Sequence, residues 1–463
     1  MVMENNKNST LEDYNPLLEG NIIKELLVLA LPIMATYFLQ MAYNLADMMW
    51  IGRVGSSAVA AVGTAGFYMY LSMAFIALTK IGLEVGIAQS IGRKEFNKAR
   101  CFARNGLQVN TIIAFAYALF IFLFKEQLIG FFKIDDPVVV NMALDYITII
   151  SIGFIFSFTN PVLTGIFNGT GQSKLPFRIN SIGVIANVVL DPIFILGLGP
   201  VPSLGVKGAA LATIMSQAIV TLVFIVYIQK GNSNYKNINL FKKLKLDIIK
   251  ETFKVGYPVA LQSGMFTVFS ILIARIIANW GPIPIAVQKV GSQIESISWM
   301  TASGYASALA TFVGQNYGAD NLCRIRESYT KSIKIMTAFG ICTSLLLIVF
   351  SKQLFALFIP EPDVILAGGT YLVILGFSQL FMCLEITTAG VFNGLGMSKY
   401  PSIVSIFFTG LRVPMALVFS SIAIFGVNGV WISISLSSML KGIVLVVLYF
   451  IMVRKKIFVE VDL

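Results

Sequence analysis

Residues 31–53 read LPIMATYFLQMAYNLADMMWIGR. The run is long and apolar enough to span a bilayer as a helix, which takes about 20 such residues. Yet Asp47 lies well inside it. A charge at mid-bilayer costs roughly 2.5–3.5 kcal/mol on insertion scales, so an intramembrane acid points first to function. Thr36, Gln40, Tyr43, Asn44 and Asp47 follow at steps of four, three, one and three. That spacing lines one helical face. Pro32 sits upstream in the same segment. It lacks a backbone donor and frees a carbonyl one turn back, so the helix can bend there.

The rest of the chain resembles this stretch in polarity. Of 463 residues, 57% are hydrophobic and only 12% charged. The mean hydropathy is +0.81. Soluble domains carry about 25% charged residues. One soluble core cannot hide this much apolar surface, so the bilayer is the expected solvent. The first twenty residues are polar, without an apolar signal-peptide core, and the first span is expected to act as the insertion signal. Cys101, Cys323, Cys342 and Cys383 are scattered without CxxC spacing and imply neither a disulfide framework nor a zinc site. The absence of histidine excludes histidine metal sites, general bases and proton relays. With no nucleophile motif either, an enzyme is not expected, nor is a cofactor.

Hydropathy gives twelve spans: 22–49, 57–89, 102–124, 138–160, 176–198, 206–229, 248–279, 283–312, 329–350, 364–387, 400–424 and 427–452. The loops between them alternate in charge. One set carries Arg93, Lys94, Lys98, Arg100 and Arg104; Lys174 and Arg178; Lys230 through Lys250; Arg324, Arg326 and Lys331; Lys399; and Arg454 to Lys456. The other holds only Arg53, Lys125, Lys133, Lys207 and Lys352. The positive-inside rule then places both termini and the basic loops in the cytoplasm of a multi-pass cell-membrane protein. This distribution explains most of the net charge of +11 without a nucleic-acid partner.

The chain also repeats. Pro32 recurs as Pro258, and Gln89 and Gly92 recur as Gln315 and Gly318, each 226 residues on. FNGTGQSKLP at 167–176 matches FNGLGMSKYP at 392–401, and GVKGAA at 205–210 resembles GVNGVW at 426–431. Six spans per copy is an even number, so both copies enter from the same side as parallel repeats. The expected fold is all-α and integral to the membrane, twelve helices in two six-helix bundles. The expected divisions are a cytoplasmic tail 1–21, an N-lobe 22–229, a cytoplasmic linker 230–247, a C-lobe 248–452 and a tail 453–463. GTGQSK superficially suggests a phosphate loop, but it misses the GxxxxGK[ST] pattern and follows no strand. Its duplication reads as a helix–helix turn.

Span five offers a second polar face: Asn180, Gly183, Asn187 and Asp191, with Pro192 directly after the acid and weakening that helix too. Span six puts Thr213 on the face of Ala209. Asp47, Asn187, Asp191 and Thr213 are short oxygen-bearing side chains, suited to a small hard cation or to a shared proton. The repeat offset puts Gln262, Phe266, Phe269, Ser270 and Ile273 where the first copy has its stripe. Asn187 maps to Arg412, and Asp191 maps near Ala416. A stripe serving folding alone would be kept in both copies, so its loss argues for a coupling site in the first copy. Glu295, Glu385 and Arg412, with Gln288, line either a substrate cavity or a structural ion-pair network. Lys80 and Glu84 can pair, and Arg275 and Lys289 are further charges within spans.

Taken together, the Pro32-to-Asp47 spacing, AQ-x-x-G with its GQNYGA partner, NVVLDP, GAALAT and the duplicated FNG-x-G-x-SK-x-P resemble the multidrug and toxic compound extrusion (MATE) transporters over about residues 25–450. The resemblance implies two lobes and export of small, often cationic organic compounds, coupled to H⁺ or Na⁺ entry. Its DinF-like branch implies a first-lobe cation site at Asp47, Asn187, Asp191 and Thr213 with the Ala209 carbonyl. A second-lobe glutamate of NorM-like members is replaced near Phe266. A monomer acting by alternating access is expected; a flippase or exporter of a lipid-linked or polyanionic precursor is the alternative, and a strongly cationic cavity would favour it.

Overall fold

The computed structural model describes residues 15–197, 202–230, 240, 242–422 and 424–453. Residues 1–14 of the expected N-terminal tail, most of the linker 230–247 and nearly all of the tail 453–463 lie outside the described residues.

Twelve long helices follow in order: α1 (Ile22–Gly52), α2 (Ser56–Gly92), α3 (Phe96–Gly130), α4 (Pro137–Gly169), α5 (Lys174–Leu196), α6 (Val206–Lys230), α7 (Leu246–Ala278), α8 (Pro282–Gly318), α9 (Leu322–Val349), α10 (Pro362–Gly394), α11 (Lys399–Ser421) and α12 (Val427–Leu448). Each overlaps one of the expected spans, and five of those spans (176–198, 248–279, 329–350, 400–424 and 427–452) run past the C-terminal end of their helix. Eleven are long and apolar enough to cross a membrane among the described residues. The remaining one, α8, is 37 residues long but carries Gln288, Lys289, Gln293, Glu295, Gln315 and Asn316. Most helices run past their hydropathy limits because turns with charged residues, such as the start of α3, extend beyond the apolar run. Two helical turns at Pro16–Glu19 and Ser351–Ala356 have no hydropathy signal.

The helix bounds reproduce the repeat. α4 and α10 are each 33 residues, with Pro at the first position. α5 and α11 are each 23 residues, and α2 and α8 each 37. α3 has 35 residues, whereas its counterpart breaks at Phe350 into α9 and the Ser351–Ala356 turn. The duplicated FNG-x-G turn is the same at both places. Gly171 and Gly396 sit at φ +85° and +75°, a left-handed conformation that glycine adopts freely. Gln172 N–H returns to the Phe167 carbonyl at 2.9 Å, and Met397 N–H to Phe392 at 2.8 Å.

The chain falls into two compact units. The first comprises Ala35–Ile91 and Glu95–Ala260; the second comprises Met1–Met34, Gly92–Lys94 and Leu261–Leu463. The two units interleave along the sequence. The first halves of α1 and α7 are exchanged between them, and each crossing comes two residues after a proline, Pro32 or Pro258. In the first unit, α7 approaches α2 so closely that a Cβ at Gly256 would overlap the Leu78 carbonyl. The chain leading into α7 is held there by Gln108, which donates to the Leu240 and Lys242 carbonyls, and by Asn105, which accepts from Lys245 N–H at 2.8 Å. In the second unit the turn Pro16–Glu19 is held by Arg324, which donates to the Leu17 and Gly20 carbonyls at 3.1 and 2.9 Å.

Two buried clusters form the first unit's core. One includes Ile51, Tyr117, Phe154, Phe158 and Ala209; the other includes Leu83, Phe102, Phe167 and Phe224. The second unit's core gathers Ile273, Tyr371, Leu372, Ala416 and Trp431. The fourth helix of each repeat, α4 and α10, has a long buried face.

Candidate functional site

Apolar packing brings α1, α4, α5 and α6 together around Asp47. On α5, Asn187 and Asp191 are fully buried, one turn apart, and Asn187 Nδ2 donates to Asp191 Oδ1 at 2.9 Å. Gly183 on the same face lets α5 press against α6: a Cβ there would overlap Val220 Cγ2. α6 presents buried Ala209 and, one turn later, buried Thr213. α1 contributes Tyr43 and Asp47. Tyr43 is buried, faces both acids and has Thr213 beside its hydroxyl. Asp47 and Asp191 act on each other electrostatically. Tyr146 of α4, 2% exposed, faces the same three groups and donates to Met69 Sδ at 3.8 Å.

The polar atoms here are under-satisfied. Tyr43 Oη, Asp47 Oδ1, Asn187 Oδ1 and Asp191 Oδ2 are all buried without a well-directed hydrogen-bond partner. An unsatisfied buried acceptor costs about 1–3 kcal/mol, more when charged. Four of them around two acids make a set of oxygens suited to a positive charge. An oxygen-only set with two carboxylates fits a small hard cation, which takes carboxylate, amide and hydroxyl oxygens. It fits a proton equally, because two like charges close together disfavour double ionisation.

The other stripe residues lie apart from this cluster. Gln40 and Asn44 are exposed, and their side chains meet each other at 3.5 Å. Thr36 is half-buried. Asn180 donates to Thr164 Oγ1 of α4 at 3.2 Å. The helical period places these residues on one side of α1 or α5; it does not say which turn of that side meets a neighbour. Tyr146 carried no sequence signal beyond matching Tyr371 in the repeat.

The second unit holds a different cluster. Arg412 on α11, 8% exposed, donates to Ser437 and Ser438 of α12 at 3.0 and 3.3 Å. It faces Glu295, Glu385 and Tyr371. Glu295 is hydrogen-bonded by Tyr371 and Gln379, and Gln288 Nε2 donates to the Tyr371 hydroxyl at 3.4 Å. Glu385 pairs with Lys441 of α12 at 3.1 Å, both nearly excluded from solvent. Lys441 carries no local sequence signal, because it stands alone in an apolar helix with no acidic partner at i±3 or i±4. Glu295 Oε1, Gln288 Oε1 and Gln379 Oε1 are buried without partners. Lys80 and Glu84 of α2 face each other, as their spacing predicts. Arg275 and Lys289, by contrast, are exposed on their helices rather than buried.

The family model MatE matches residues 32–193 and again 258–418, one copy per repeat. The chain belongs to the MatE family. Its MatE relatives include a probable multidrug resistance protein NorM of Thermotoga maritima, 27% identical over 89% of this chain and 88% of the relative. The multidrug export protein MepA of Staphylococcus haemolyticus is 24% identical over 89% of this chain and 90% of the relative. Among solved structures, an outward-facing multidrug resistance MATE transporter of the MOP superfamily matches with a TM-score of 0.87 and 26% identity, covering 96% of this chain and 97% of that one. This MatE protein is therefore a multi-pass membrane transporter of small molecules, not an enzyme.

Proposed function

We propose that this chain is a cation-coupled multidrug exporter of the cell membrane, working as a monomer with both termini in the cytoplasm and two six-helix lobes, 22–229 and 248–452, joined by the linker 230–247. H⁺ or Na⁺ enters the Asp47, Asn187, Asp191 and Thr213 site, with the Ala209 carbonyl alongside. Its release and uptake bias α1, bendable at Pro32, and α5, weakened at Pro192, and drive alternating access for an organic, cationic amphipathic substrate. The observation that carries this reading is the set of four buried oxygens on α1 and α5 that lack a well-directed hydrogen bond. The names of the NorM and MepA relatives support the substrate class. The charged groups of the second unit's buried cluster, Glu295 and Glu385 against Arg412 and Lys441, balance. Among the described residues that cluster carries no net positive charge, which favours drug export over a polyanionic or lipid-linked precursor.

The test is efflux of a fluorescent organic cation from vesicles under an imposed ΔpH or ΔNa⁺. Wild type is expected to respond to at least one gradient, and Asp47→Asn to neither, although inserted at equal level. Full gradient-driven efflux by Asp47→Asn would overturn the mechanism.

A further inference from the structure

The second unit's cluster occupies the repeat positions of the first unit's cation site. Tyr371 stands 225 residues after Tyr146, Arg412 stands 225 after Asn187, and Glu295 stands 226 after Met69. The contacts correspond as well. The Tyr146 hydroxyl reaches Met69 Sδ, and the Tyr371 hydroxyl bonds the Glu295 carboxylate. Around this shared tyrosine the two halves differ in charge. The first has Asp47 and Asp191, with no basic residue among the described groups that act on them. The second has buried Ile273 and Ala416 at those positions, and in exchange gains Glu295 together with Arg412. An ion pair is added beside them, since Glu385 and Lys441 stand where the first half has Asn160 and Val220.

We propose that Arg412 is the resident cation of the second repeat: its guanidinium supplies by covalent attachment the positive charge that the first-repeat site takes up from solution. A guanidinium does not deprotonate in proteins and cannot leave. Its planar fork is tied down by Ser437 and Ser438 and faces Glu295 from α8 and Glu385 and Tyr371 from α10. Lys441 from α12 neutralises Glu385. Two acids thus face two fixed bases, so the formal charge of the cluster is zero without an exchangeable ion. Arg412 is a positioning residue: it holds the second half in a permanently occupied state while only the first half exchanges a cation. The inference rests on the coupling role proposed for Asp47.

The test compares proton uptake by the purified full-length protein on a step from mildly alkaline to mildly acidic buffer, followed by Na⁺ titration calorimetry. Glu295→Gln is expected to match wild type with both probes. Arg412→Asn, which restores the residue of the first repeat, is expected to take up one more proton than wild type. A buried glutamate deprived of its partner neutralises itself by protonation. The double variant Glu295→Gln/Arg412→Asn is expected to lose that gain, and Arg412→Lys to show none. A Glu295→Gln protein that binds one proton or Na⁺ fewer than wild type would overturn the proposal, as would Arg412→Asn without a gain. If Arg412→Asn does not fold, the comparison of Glu295→Gln with wild type decides alone. Failure of the coupling reading is separate: it would show as Asp47→Asn retaining full cation uptake.

Discussion

Replacing Lys441 by Met tests whether the second unit's buried charges are held as pairs. The ammonium lies 3.1 Å from Glu385 Oε2, and the two side chains are only 9% and 10% exposed. Removing one member of a buried pair leaves an uncompensated charge and costs about 3–5 kcal/mol. Arg412 still faces Glu385 in the variant. The expected cost is therefore at the lower end, about 3 kcal/mol, or roughly a hundredfold in the folding equilibrium at about 1.4 kcal/mol per tenfold. In detergent this should lower the thermal midpoint by several degrees. Lys441→Met combined with Glu385→Gln removes both charges at nearly constant volume. Such paired replacements are often neutral or stabilising, so the double variant should regain most of the loss. A Lys441→Met protein that melts with wild type, or a double variant that melts as low as the single one, would refute the paired arrangement.

Two further outcomes follow from single contacts. Gly183→Leu forces a side chain onto Val220 at the α5–α6 crossing; overpacking of this kind costs about 1–3 kcal/mol. It displaces Asn187 and Asp191 together, so gradient-driven efflux should fall more than surface expression, and unchanged efflux would refute the close approach. Arg324→Ala removes the donors to the Leu17 and Gly20 carbonyls and to Asn316 Oδ1. Each hydrogen bond to a charged group is worth about 1.5–3 kcal/mol, less for a half-exposed side chain. Amide exchange over residues 15–20 should speed up at least tenfold in this variant, and unchanged protection would show that the turn is held by Leu17 burial instead.

Much of this protein is written locally in its sequence. Twelve apolar runs separated by charged turns specify twelve helices because the bilayer satisfies no backbone hydrogen bond. The constant offset between Pro32 and Pro258, and between the two FNG-x-G turns, specifies the duplication. Asp47 stands out because a charge in an apolar run is costly wherever it finally points. Other features were settled only when helices met. The 3.6-residue period puts Gln40, Tyr43 and Asn44 on one stripe, yet packing buries Tyr43 and leaves the other two exposed. Lys441 had no local partner, and its pairing with Glu385 spans two helices far apart in sequence. The exchange of the first halves of α1 and α7 between the compact units depends on close approaches such as Gly256 to Leu78, which no single segment encodes. The sequence by itself determines which residues are costly to bury in a membrane. Which of them lie within reach of one another, and so whether a charge is neutralised by a neighbour or left open for a cation, is decided by tertiary packing.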